Sequence, residues 1–112
     1  MKTKDELPAC PVATAVALVG GKWKLLILRN LRSRPWRFNE LQRDLEGVSQ
    51  KVLTDSLRQM IDDGLAYRLD YQEVPPRVEY GLTGLGREML PIIDALASFG
   101  NYYKSVVAER KN

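Results

Sequence analysis

Five residues, Glu73-Val74-Pro75-Pro76-Arg77, separate two stretches in which apolar side chains recur at every second position. In the first, Leu65, Tyr67, Leu69 and Tyr71 alternate with Ala66, Arg68, Asp70 and Gln72; in the second the repeat is Val78, Tyr80 and Leu82. A period of two is that of a half-buried strand. Parallel pairing would need a crossover of about a dozen residues or more, so this short connection admits only an antiparallel hairpin. Its two prolines cannot donate ladder hydrogen bonds and belong at a protruding tip.

On either side of the hairpin the period is helical. Pro11, with Val12, Val16, Leu18 and Val19 after it, predicts a short first helix with proline where the missing N–H costs nothing, ended by Gly20-Gly21. From Lys22 to Leu31 the residues Trp23, Leu26, Ile27 and Leu31 recur at helical spacing, and Arg34-Pro35 closes this second helix. Asn39 is the expected cap of a third helix carrying Leu41 and Leu45, closed by Gly47 in the left-handed region. Ser49 caps a fourth, striped by Leu53, Leu57, Met60 and Ile61 and ended by Asp62-Asp63-Gly64. Two helices joined by so tight a turn make a helix-turn-helix candidate over about 39–63, with the hairpin as a wing over about 65–82. Beyond Thr83, Leu85, Met89, Ile92, Ile93, Leu96, Phe99, Tyr103 and Val106 predict a long helix over about 84–109, bent near Pro91. The expected fold class is mainly α with a small β-hairpin, an α+β arrangement, in one domain over residues 1–112, a length that supports one modest core.

The missing side chains narrow the chemistry. With no His and one Cys, a tetrahedral zinc site, a Ser/His/Asp triad and a Cys/His nucleophile pair all lose their usual members. No Gly-rich phosphate loop or paired-carboxylate motif replaces them, so neither an enzyme nor a bound cofactor or metal is expected. Cys10 has no partner in its own chain, which suits a reducing cytosol. The opening MKTKDELPAC lacks the apolar stretch of a secretory signal, and no run approaches the roughly 18 apolar residues of a membrane span, so a cytoplasmic protein without a membrane partner is expected. Seventeen Lys and Arg against fourteen Asp and Glu leave a formal charge of +3, which permits a polyanionic partner. Where the cations sit matters more than their number.

The words of the sequence also resemble one family. Cys10-Pro11, Gly21-Lys22-Trp23, Arg37-Phe38-Asn39-Glu40-Leu41, Ser49-Gln50-Lys51-Val52-Leu53-Thr54, Leu57-Arg58, Asp63-Gly64-Leu65 and Pro75-Pro76-Arg77-Val78-Glu79-Tyr80-Gly81-Leu82-Thr83 look like the HxlR-type regulators, relatives of the MarR regulators. Each piece is weak; their order and spacing are specific. The resemblance runs roughly from Cys10 to Tyr103. It implies a winged helix-turn-helix with a long C-terminal dimerisation helix, a homodimer joined through the first and last helices, and a recognition helix in the major groove of double-stranded DNA. It also implies, for several relatives, sensing of oxidants or electrophiles through a cysteine near the N-terminus.

Residue by residue, the apolar stripe of the fourth helix must face the core, which turns Gln50, Lys51, Thr54, Asp55 and Arg58 outward. Gln suits adenine, Lys and Arg suit guanine acceptors, and the Thr methyl suits that of thymine; Ser49 and the helix N-terminus suit a phosphate. Arg77, beside two rigid prolines, is expected to present a cation on the wing tip, with Arg37 and Arg68 adding phosphate contacts. Arg68 can equally pair with Glu79 across the hairpin. Trp23, Trp36, Tyr67, Tyr71 and Tyr80 are expected to pack rather than stack on bases. Ile92, Ile93, Leu96, Phe99, Tyr103 and Val106 exceed what one small core can cover, and together with Val12 and Val16 of the first helix, which the resemblance implies also joins the dimer, they are the expected dimer interface. Cys10, at a helix start with Lys2 and Lys4 nearby, is either a redox or electrophile switch or a small buried side chain at that interface. The expected function is a sequence-specific regulator, acting as a repressor on an inverted-repeat operator. The rival is a winged helix that binds protein, which the polar, cationic helix face disfavours.

Overall fold

The computed structural model describes residues 1–110; Lys111 and Asn112, part of the expected single domain, lie outside the described residues. After a 3-10 turn at Lys4–Glu6 come α1 (Pro11–Val19), α2 (Lys22–Leu31), α3 (Phe38–Asp44) and α4 (Gln50–Asp62). The hairpin β1 (Ala66–Asp70) and β2 (Val78–Leu82), a single turn α5 (Gly84–Arg87) and α6 (Leu90–Arg110) complete the order. The core is the overlap of three helical stripes: Ile27, Leu28 and Leu31 of α2, Leu41 and Leu45 of and just after α3, and Leu53, Leu57 and Met60 of α4. Leu65, Ala66, Leu82 and Met89 close it from the hairpin side.

Local chemistry sets the boundaries. Ser49 Oγ accepts the Val52 N–H at 3.1 Å and starts α4, as its position predicts. Gly47, at φ 93°, makes the turn between α3 and α4 in a region that costs other residues a Cβ clash. Asn39, in contrast, is not a cap. The Glu40 carboxylate accepts the Arg37 N–H at 2.8 Å, which makes Arg37 the cap and starts α3 at Phe38. Buried Asn30 is satisfied on both sides: its Nδ2 donates to Asp44 Oδ2 at 2.7 Å, and its Oδ1 accepts from the Arg29 guanidinium, so the end of α3 is tied to α2.

β1 and β2 pair antiparallel from Ala66↔Leu82 to Asp70↔Val78. Gly81 stands opposite Tyr67, whose ring fills the space a Cβ would need. Trp36 extends the pairing by exchanging two backbone hydrogen bonds with Tyr80, at 2.9 and 2.8 Å. That bridge stitches the hairpin to the loop between α2 and α3, 44 residues earlier in the chain, and no local pattern announces it.

The C-terminal segment also differs from the expected single bent helix. Thr83 Oγ1 accepts the Gly86 N–H at 3.0 Å and begins α5, which stops after one turn; α6 then starts at Leu90. Pro91 therefore lies in the first turn of α6, where its missing N–H has no helical partner to lose, and starts a helix rather than bending one. Arg32, the C-cap of α2, binds this junction, donating to Asp94 Oδ1 at 2.6 Å and to the Leu90 carbonyl at 3.2 Å. Among the described residues no single helix is long and apolar enough to cross a membrane.

Candidate nucleic-acid interface

The two faces of α4 separate as the stripe requires. Leu53, Ser56, Leu57 and Met60 are buried, while Gln50, Lys51, Thr54 and Arg58 are exposed together with the cap Ser49. Asp55 is half-buried between two of these cations: its Oδ2 accepts from Lys51 Nζ at 2.9 Å and its Oδ1 from the Arg58 guanidinium at 3.1 Å. The Lys51 hydrogen bond, reinforced by the Arg58 charge, holds the Asp55 carboxyl below the usual carboxylate range. The outward face of α4 is thus a row of cation, anion and cation with Thr54 and Gln50 beside it.

Arg37 and Arg68 are both exposed, one at the start of α3 and the other on β1 opposite Tyr80. Among the described residues neither takes part in an ion pair. The Arg68–Glu79 pairing does not form, because the register sets Glu79 against Leu69 and its carboxylate accepts from the Tyr71 hydroxyl at 2.7 Å. That bond, first among the causes, pushes the Tyr71 hydroxyl pKa up. Arg77 does not project from the tip. Its guanidinium lies 3.5 Å over the Tyr71 ring and 3.5 Å from Glu73 Oε1, so it braces the wing from within. Sequence reasoning also passed over Arg34, stacked 4.0 Å over Trp36 and 3.4 Å from Glu40, and exposed Arg43; they share a shallow concavity with Trp36, Glu40 and Asp44.

Along α6 none of the 21 residues is buried. Ile92, Leu96, Phe99 and Tyr103 are exposed, as are Val12 and Val16 on α1. Two members of the expected interface divide off: Ile93 packs on the chain's own core, and Val106 is half-buried. Tyr102 and Val107 are exposed on the same helix and were missed, although their apolar character was visible in the sequence. Cys10 is exposed and is the N-cap of α1, with Pro11 at the first helical position. The alternative to a switch, burial at the dimer interface, concerns the partner chain; within its own chain the thiol is exposed.

A three-helix core whose α3 and α4 meet at a glycine turn, followed by a two-stranded hairpin and a long final helix, defines a winged helix-turn-helix protein. Comparison with known proteins gives the family. Residues 18–108 match the HxlR-like helix-turn-helix family. An HTH-type transcriptional regulator of Methanothermobacter thermautotrophicus is 45% identical over 101 residues, 90% of this chain and 77% of the relative. A MarR-family transcriptional regulator from Porphyromonas gingivalis superposes with a TM-score of 0.79 at 46% identity, covering 89% of this chain and 96% of that one. The redox regulator HypR in its oxidized form superposes with a TM-score of 0.80 at 38% identity, covering 83% and 96%. The chain belongs to the HxlR-like family and is a transcriptional regulator of HxlR/MarR type, a family of DNA-binding proteins and not of enzymes.

Proposed function

We propose that this regulator acts in the cytoplasm as a homodimer, lays one α4 in each of two successive major grooves of an inverted-repeat operator, and represses by occupying a promoter. The observation that carries the reading is the division of α4, whose buried side is Leu53, Ser56, Leu57 and Met60 and whose exposed side carries Gln50, Lys51, Thr54 and Arg58. Gln50, Lys51, Thr54 and Arg58 reach base edges, while Ser49, the α4 N-terminus, Arg37 and Arg68 contact phosphates. Arg77 contributes from the wing by exchanging Glu73 for a phosphate oxygen. Val12, Val16, Ile92, Leu96, Phe99 and Tyr103 bury themselves against the second copy, joined by Tyr102 and Val107, with Ile93 and Val106 at the margin.

The test is binding of the purified protein to its own upstream DNA over a range of salt. Affinity falls steeply as salt rises because counterions are released, and half-sites lie roughly 10 bp apart. Lys51→Ala or Arg58→Ala costs about 1–3 kcal/mol and relaxes base preference. Salt-insensitive binding, or none to any promoter fragment, overturns the assignment.

A specific observation favours a further element, control through Cys10. The thiol is exposed at a helix start, and the similar protein HypR is described as a redox regulator. Oxidation joins the Cys10 sulfurs of two protomers, or one Cys10 and a small thiol, with two electrons and two protons passing to the oxidant; alternatively the thiolate adds to an electrophile such as a quinone. Each product alters α1, and with it the spacing of the two α4 helices. Operator binding by wild type and Cys10→Ser is compared before and after diamide or quinone. If wild-type affinity does not move, or the variant moves equally, Cys10 is structural.

A further inference from the structure

The Lys51–Asp55–Arg58 row goes beyond a general account of cations on a recognition helix, because an anion occupies its centre. A carboxylate is repelled by phosphates and by the acceptor-rich edge of guanine, so on a DNA-facing surface it weakens binding to most sequences. It is compatible only where a base offers a donor. The Asp55 side chain keeps 32% of its surface open, against 84% for Lys51 and 63% for Arg58, so it reaches the same face without projecting as far.

The hydrogen-bond inventory leaves room for a base. A carboxylate has about four acceptor sites, and Asp55 uses one oxygen for Lys51 and the other for Arg58. Lys51 and Arg58 each retain donors, since an ammonium has three and a guanidinium five. Both pairs can therefore persist while each member also addresses DNA, and the long cationic side chains arrive already oriented. Lys51 and Arg58 stand two helical turns apart, about 10.5 Å along the axis, with Asp55 between them. That span matches about three base-pair steps at roughly 3.4 Å each.

We propose that Asp55 is a specificity-determining residue that accepts from the exocyclic amino group of a cytosine, while Lys51 and Arg58 donate to guanine acceptor edges on either side of it. The inference rests on the DNA-binding reading above and deepens it: each half-site carries a donor edge between two acceptor edges in the major groove. Asp55 also lowers affinity for other sequences, so its removal raises non-specific binding as it lowers discrimination.

The experiment measures binding of wild type, Asp55→Ala and Asp55→Asn to the protein's own upstream fragment and to a shuffled duplex of equal length, with selection from a randomised duplex library in parallel. Asp55→Ala binds the shuffled duplex at least as tightly as wild type and loses roughly tenfold in its preference for the upstream fragment, the scale of one good base contact. Asp55→Asn, close in shape and so protected from folding artefacts, moves the selected base from cytosine to adenine, which presents a donor and an acceptor together. An unchanged ratio in Asp55→Ala, or the same selected base in all three proteins, overturns the role of Asp55 while leaving DNA binding intact. A wild type that does not distinguish the two duplexes removes the DNA-binding reading itself, and this inference with it.

Discussion

Glu40 shows how much one side chain can settle. Its carboxylate starts α3 by accepting the Arg37 N–H, and that bond, followed by the Arg34 guanidinium, holds its pKa below the ordinary value of 4.5. A carboxyl whose folded pKa is depressed contributes stability that is present above the unfolded value and lost as pH falls through the folded one. Thermal unfolding followed by circular dichroism is therefore expected to show wild type losing stability as pH drops below about 4.5, with Glu40→Gln less stable at neutral pH and flatter over that acid window. Equal slopes would assign the acid sensitivity to other carboxyls. The same residue corrects the position of the cap. Asn39 has the better capping side chain by type, but Glu40 lies three residues after Arg37, and that spacing decides.

At the scale of elements, α5 is held by contact rather than propensity. A Cβ on Gly86 would meet the backbone carbonyl oxygen of Leu65, which already accepts the Thr83 N–H at 3.1 Å and cannot yield cheaply. Gly86→Ala is expected to cost about 1–3 kcal/mol, as overpacking does, and to lower the melting midpoint by several degrees. Gly84 in the same turn faces open space, so Gly84→Ala is expected to be neutral or to stabilise by about 0.4–1 kcal/mol through the unfolded chain. Calorimetry on the two variants separates them, and equal midpoints would show that α5 can shift away from Leu65. The stop after α5 was not legible, because Leu85 and Met89 continue the helical spacing into α6.

For the whole molecule, the consequence lies in α6. About 31 Å of helix with no buried residue is tied to its own chain chiefly at its start, by the Arg32 contacts and by Leu90 and Ile93 packing on the core. Phe99 and Tyr103, whose rings are 6.2 Å apart, sit at the middle of the uncovered stripe. Phe99→Asp is expected to give monomers or aggregates and to abolish operator binding, since one α4 alone reaches a single half-site. Analytical ultracentrifugation checks this directly. A wild type that sediments as a well-folded monomer at micromolar concentration contradicts the dimer.

The sequence by itself determined what periodicity and short spacings record: the antiparallel hairpin, the core stripes of α2, α3 and α4, the Ser49 cap, the Gly47 turn and the outward set Gln50, Lys51, Thr54 and Arg58. A buried face repeats every 3.6 or every 2 residues, and a cap or turn acts within four, so both are visible in the order of residues alone. Asp55 as the common partner of Lys51 and Arg58 was legible on the same terms, at spacings of four and three. Only the tertiary structure decided that Trp36 bridges to Tyr80, that Glu79 takes the Tyr71 hydroxyl in place of Arg68, that Arg77 folds back over Tyr71, and that Arg32 fixes the start of α6. The two long-range contacts depend on which segments the core brings together. The two within the hairpin depend on its register and on which of several competing partners each polar group meets first, and neither quantity is written in the spacing of residues along the chain.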